Sequence, residues 1–192
     1  MAPRTDSPRA ATLAALRNAT RPAHLAIDGA FDGGLRSLDD YRRYLRSLLP
    51  LAHWLDVAWR DDWPPHLACW RDPGRAACIA ADLRALGAPD AIDTPTAHAS
   101  PEEWLGGCYV MEGSALGARL LARDVAALPR TPAEGPLPRG FLDRHLGDPG
   151  RWPRFRAAVG TLPPDGLPGA LRGAAHGFAL VAAALAREGR PA

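Results

Sequence analysis

The chain has 192 residues, 47% hydrophobic and 23% charged, enough for one sizeable core in a single soluble globular domain. A net charge of +2, carried entirely by arginine with no lysine and no basic run, gives no reason to expect nucleic acid or an anionic membrane as partner. Cys69, Cys78 and Cys108 are odd in number and form no C-x-x-C pair, which argues against a disulfide framework or a structural zinc site and for a reducing cytoplasm.

The opening MAPRTDSPRA lacks the apolar core of a signal peptide, and residues 1–11 are expected to form a disordered arm ahead of one domain over 12–192. No apolar run reaches the ~18–20 uncharged residues a membrane span needs. Leu13, Leu16, Thr20, Ala23 and Ile27 recur at helical spacing and predict a first helix with one buried face. Pro22 lies inside it, so this helix is expected to kink there or to restart with Thr20 as N-cap. Gly33-Gly34 ends the region.

Ser37-Leu38-Asp39-Asp40 offers a cap for a second helix carrying Tyr41, Tyr44, Leu45, Leu48, Leu51, Leu55 and Trp59, with a bend at Pro50. The proline-rich stretch 61–75 reads as an irregular connection. A third helix is expected from about Arg75 to Leu86, followed by a polar loop to Ala99. Ser100-Pro101-Glu102-Glu103 is a helix start with Ser as N-cap, Pro at N1 and Glu closing a capping box. From there the helical pattern runs to about Leu128, interrupted by glycines. A Pro/Gly-rich loop over 129–140 and two helices, roughly 150–161 and 164–188, complete the chain. No segment alternates as a strand does, so the expected architecture is an all-α bundle.

Two segments carry candidate chemistry. In Leu16-Arg17-Asn18-Ala19-Thr20-Arg21-Pro22-Ala23-His24, the helical spacing sets Arg17, Thr20 and His24 on one face. An imidazole there is either a buried core residue or an axial ligand for heme iron. In the second case Arg17 can meet a heme propionate through a charge-assisted hydrogen bond. The other segment is Tyr109-Val110-Met111-Glu112-Gly113-Ser114-Ala115-Leu116-Gly117-Ala118. Each mid-helix glycine costs roughly 1 kcal/mol against alanine, so a pair on one face with Tyr109 needs a reason. Close approach of something flat is the physical candidate, either another helix or a planar cofactor.

Together these segments resemble the heme oxygenase family, especially its bacterial branch that includes enzymes linked to bacteriophytochromes. The first is similar to the family's L-R-x-x-T-x-x-x-H pattern, and the second to its Y-V-x-E-G-S-x-L-G distal-helix signature. Asp39-Asp40-Tyr41-Arg42-Arg43-Tyr44-Leu45, Trp152 with Phe155, and Phe178 also match, and the resemblance spans most of residues 12–187. It implies a compact helical bundle that holds heme between the first helix and the glycine-containing helix and opens the ring with O2. The products are biliverdin, CO and iron. Electrons come from a separate donor such as a ferredoxin or a reductase, and a bacteriophytochrome is a possible acceptor of the biliverdin.

On that resemblance His24 is the iron ligand, and Arg17, Tyr109, Gly113, Gly117 and Phe178 contact heme. Gly113, Ser114 and Gly117 form the catalytic distal wall, with the Ser114 hydroxyl placed to hold water. Ser114 stands where animal-type members carry aspartate, Asp28 where glutamate is usual after the histidine, and Ala118 where many relatives have a second glycine. Pro22 is a further departure, since a kink there can swing His24. Arg151, Arg154 and Arg156 are of the right type for propionate contacts, in an unsettled register.

Two other readings are weighed. One keeps the fold and drops the chemistry, as a non-catalytic heme- or bilin-binding protein. The other is a different enzyme on a similar scaffold, a di-iron oxidase or a thiaminase-like hydrolase. His24 with Asp28 is the only carboxylate–histidine pair at i, i+4 on a good helix, against the several a di-iron site needs. Cys108 has no identifiable base beside it and reads as a small buried apolar residue. His53, His66, His98, His145 and His176 are assigned to packing or loops, and the six tryptophans to core and interface.

Overall fold

The computed structural model describes residues 8–88, 98–129 and 135–188, which form eight α-helices, one 3-10 turn and no strand. Helix α1 (Pro8–Gly29) starts earlier than its apolar pattern: residues 8–11, expected in the arm, are its first turn, and residues 1–7 lie outside the described residues. It runs unbroken past Pro22, so Thr20 is not an N-cap. The Thr20 hydroxyl donates to the Leu16 carbonyl at 2.8 Å, a bond to the helix's own backbone within the preceding turn. Gly33 and Gly34, with φ of 94° and 80°, turn the chain into α2 (Leu38–Ala58). There the Ser37 hydroxyl accepts from the Asp40 N–H at 3.1 Å, as its cap sequence predicts.

A 3-10 turn (Pro65–Trp70) occupies the proline-rich connection before α3 (Arg75–Ala85). Most of the loop expected up to Ala99 lies outside the described residues. The capping box of α4 (Pro101–Gly113) is complete: Ser100 Oγ accepts from Glu103 N at 3.2 Å, and Glu103 Oε2 accepts from Ser100 N at 2.9 Å. The single long helix expected to Leu128 is two helices. It breaks at Ser114, and α5 (Ala115–Ala127) continues beyond.

Helix α6 (Gly140–Leu146) falls where sequence reading leaves a loop and a turn. Its cap comes from another element. The Asp82 carboxylate on α3 accepts from Gly140 N at 3.0 Å and Phe141 N at 2.8 Å, satisfying first-turn donors that no local side chain reaches. Helices α7 (Arg151–Val159) and α8 (Leu167–Glu188) then close the bundle.

Helix α8 is the axis of packing, with α1, α2 and α4 against it. Its stretch Leu167–Arg187 is long and apolar enough to cross a membrane by composition, yet half of the apolar window is buried inside the bundle, as a core helix requires. The α4–α8 crossing is close because both backbones are bare there. A Cβ on Gly106 would overlap the Ala170 carbonyl oxygen, and one on Gly173 would overlap the Glu103 carbonyl oxygen. Overpacking a core typically costs ~1–3 kcal/mol, and backbone that cannot move puts Gly173→Ala at or above the top of that range. Gly29→Ala, whose Cβ would meet nothing within 4 Å, is the control expected to leave stability within about 0.5 kcal/mol or raise it. Chemical denaturation of the two variants checks this; equal midpoints would remove the close-crossing argument.

Candidate functional site

His24 sits on α1 with 56% of its side chain exposed, so it is no core histidine. Asp28, one turn on, accepts from His24 Nδ1 at 2.8 Å, which fixes the ring and leaves Nε2 as its free end. The other side of the imidazole faces Phe178 of α8 edge-on, with centroids 6.1 Å apart and planes at 67°. Pro22 does not divert this face, because α1 is continuous through it. Leu25, next in sequence, is 58% exposed, an apolar side chain left beside an imidazole.

Gly113 ends α4 and Gly117 lies in the first turn of α5. Neither glycine is there to admit another helix. A Cβ on Gly117 would meet nothing within 4 Å, and one on Gly113 would make ordinary contact with the Trp152 ring at 3.5 Å. Of the two readings open from sequence, close helix packing therefore fails at both positions, and belongs instead to Gly106 and Gly173. Beside them Leu116 and Leu120 are each 62% exposed. The two halves of the site converge on one turn of α8, where Phe178 touches His24 and a Cβ on Gly177 would lie 3.3 Å from Val110 of α4.

Tyr109 joins the halves. Its ring packs on Trp152 with centroids 5.6 Å apart, and its phenol lies toward the Thr20 side chain of α1. Burial pushes that phenol's pKa up, opposed by Arg156, by Thr20 and by Arg17. Arg17 of α1 and Arg156 of α7 both act on that hydroxyl by charge, both are exposed, and neither forms an ion pair among the described residues. Arg151 and Arg154 are engaged elsewhere, on Glu112 and Asp148. Of the three α7 arginines, Arg156 alone forms no ion pair among the described residues.

Behind Ser114 lies a buried polar cluster that sequence reading missed. Ser114 Oγ donates to the Met111 carbonyl at 2.8 Å and lies 3.0 Å from His145 Nε2, so the hydroxyl is already partnered rather than free. His145 is 6% exposed and stacks on Phe141 with centroids 5.1 Å apart. Burial first, then the Arg75 charge, hold its pKa down to about 3, so it is neutral. Glu112, 2% exposed, accepts from Arg75 and from Arg151, each at 2.9 Å, and Asp72 pairs with Arg75 and Arg144. The signal available in sequence was a carboxylate set inside the apolar run Tyr109–Leu121, where only a buried partner makes it tolerable.

Beyond the cluster, a cavity of about 10 Å³ lined by Asp56, Arg75, Trp104 and Cys108 has room for one water and none for an organic ligand. Cys108 is buried and its thiol is pushed well up by that burial, which removes it as a nucleophile. No group of three or more His, Cys, Asp or Glu among the described residues could hold a metal ion, so a di-iron site has no ligand set there. His176 is exposed against Trp54, and His66 and His98 are exposed in connections.

No family model matches the chain. A curated heme oxygenase of Xanthomonas campestris pv. campestris is 34% identical over 125 residues, which make up 64% of this chain and 73% of that protein. Among solved structures, the NO- and CO-bound heme oxygenase from Neisseria meningitidis superposes with a TM-score of 0.67 at 20% identity, over 92% of this chain and 91% of that one, a likeness of fold.

The buried imidazole sets a pH dependence. A histidine kept neutral in the fold but free to protonate when unfolded costs stability as pH falls below its ordinary value of 6.5, until about 3. The unfolded chain binds the extra proton, so the slope is ~1.4 kcal/mol per pH unit in that window. Denaturation at pH 6.5, 5.8 and 5.0, above most carboxylate titration, should show this fall in the parent. The slope should flatten by about that much in His145→Gln; parallel slopes would contradict the assignment.

Proposed function

This chain belongs to the heme oxygenase family, and from that premise we propose that it opens the porphyrin of heme with O2, yielding biliverdin, CO and iron with electrons from a separate protein. The observation that carries the site assignment is His24, anchored through Nδ1 and free at Nε2, together with a helix stretch where Gly117 has no described residue within 4 Å of its Cβ position and Gly113 has only the Trp152 ring. A porphyrin fits what is present: an imidazole for iron, exposed Leu25, Leu116 and Leu120 for its apolar faces, and two unpaired arginines for its carboxylates.

Heme supplies, once bound, both the iron at which O2 is activated and the ring carbon that is oxidised. His24 would bind through Nε2, and Asp28 holds the ring in that orientation. A neutral imidazole pushes less charge onto iron than a thiolate would, which leaves the ring as the site of oxidation. Phe178 backs the imidazole, and Arg17, Arg156 and the Tyr109 hydroxyl seat the propionates at one edge. Gly113 and Gly117 bring bare backbone to the distal face. Ser114 offers the polar group there that orders water for proton delivery, a task given to aspartate in animal-type members.

The electron donor is a ferredoxin or a reductase docking from outside, since the bundle has no second cofactor site among its described residues. The biliverdin product suits a bacteriophytochrome as acceptor, and the chain works in the cytoplasm. No observation favours a non-catalytic heme or bilin carrier on the same fold.

Addition of hemin should give a Soret band at one equivalent, and reduction with ascorbate or a ferredoxin system in air should convert it to biliverdin and CO. His24→Ala should lose the native axial ligation and turnover; retention of both overturns the proximal assignment. Gly117→Leu should bind hemin weakly or with disturbed O2 binding, and unchanged catalysis would return Gly117 to a packing role. Arg17→Ala and Arg156→Ala should each weaken hemin binding about tenfold, roughly 1.4 kcal/mol for one lost charge-assisted contact. The same substitutions should have no effect on heme dimethyl ester, and equal losses with the ester would remove both arginines from the propionate edge.

A further inference from the structure

We infer that His145 is a positioning residue: its Nε2–H donates to Ser114 Oγ and thereby makes the Ser114 hydroxyl a hydrogen donor toward the distal face. The inference rests on the distal role given to Ser114 above and extends it to a residue that sequence reading assigned to a turn.

The argument is a count of hydrogens. A serine hydroxyl has one hydrogen and two lone pairs. The Met111 carbonyl can only accept, so at 2.8 Å it takes the Ser114 hydrogen. Oγ then has only lone pairs to offer His145 Nε2 at 3.0 Å, and Nε2 must carry the proton. His145 is neutral in its buried setting beside Arg75 and Arg151, so Nδ1 is the unprotonated nitrogen. The opposite tautomer would reverse the pair: Ser114 would give its hydrogen to Nε2 and present only lone pairs elsewhere.

The tautomer decides what Ser114 can do. With Nε2–H fixed on Oγ, the oxygen stays in place while its hydrogen can turn between Met111 and an acceptor in the open space beside Gly117. The imidazole itself cannot turn. It is 6% exposed, stacked at 17° on Phe141, and carried on a helix whose first turn is pinned by Asp82. Ser114 stands at the junction of α4 and α5, half-buried, with Gly117 one turn on.

The test starts from the apoprotein, where heme plays no part. Histidine labelled with 15N should show His145 as the Nε2–H tautomer, with its ring N–H protected from exchange and lost from protection in Ser114→Ala. An Nδ1–H tautomer overturns the inference. In the hemin complex, His145→Phe should lower turnover about tenfold and shift the acid–alkaline transition of the ferric form. His145→Gln, which keeps a donor at the same reach, should restore both. Ser114→Ala/His145→Phe should be no worse than Ser114→Ala alone; multiplicative losses would mean the two act independently and overturn it. Should hemin not bind at all, the functional reading fails, and the 15N tautomer still decides the Ser114–His145 geometry.

Discussion

The site depends on how closely α4 can lie on α8. Gly106 and Gly173 let two backbones cross where a single methyl group would strike a carbonyl oxygen. That crossing fixes the height of α4, and with it the level at which Tyr109, Gly113 and Ser114 stand relative to Phe178 and His24. The opposite arrangement holds two turns farther on, where Gly113 at the end of α4 and Gly117 in α5 meet nothing closer than a tryptophan ring edge. Bare backbone thus serves two unlike purposes along α4 and α5, first to be gripped and then to be left open.

The gripping side is reinforced by charge. Glu112 lies one residue before the open glycine and is almost fully buried between Arg75 and Arg151. A buried ion pair is weak evidence for net stability, because desolvation offsets most of the attraction. Losing one partner is costly all the same, so such a cluster tolerates few rearrangements. It joins α3, α4, α7 and, through Asp72 and Arg144, α6 at one point. The distal wall is therefore held from behind by groups that cannot relax, while its front carries exposed leucines. Oxygen chemistry at a ring edge calls for that combination, since a small displacement of the wall changes which groups the oxygen meets.

Local physics made the helical content readable: the cap at Ser37, the capping box at Ser100 and the apolar stripes of α1, α2 and α8 are written in adjacent residues. The His24 and Gly113–Gly117 motifs were legible too, because they occupy single turns. The misses are non-local. α6 is capped by Asp82 from 58 residues away, so its own Pro- and Gly-rich flanks read as loop. His145 appeared bland because its partner, Ser114, sits 31 residues earlier and on another helix. Thr20 appeared to be a cap because Pro22 follows it, whereas tertiary packing keeps α1 continuous. The glycine argument was sound in kind and mistaken in address: four glycines in one segment need reasons, but helix packing claims 106 and 107, not 113 and 117.

The exposed leucines complete the physical account. Leu25, Leu116 and Leu120 sit more than half in water although the core of this chain buries leucines to a few percent. Fully burying a leucine side chain is worth ~1.5–3 kcal/mol, so three held open by the fold are a standing cost in the protein without substrate. In the proposed site a flat apolar ring laid over them recovers that cost on binding, with its carboxylates toward Arg17 and Arg156, which form no ion pair among the described residues. Binding and folding are coupled by the same residues: heme is the missing side of the core as well as the molecule to be consumed. In the proposed site, opening the ring and losing its iron would remove the link between His24 and the distal helices, so the product would be held less tightly than heme.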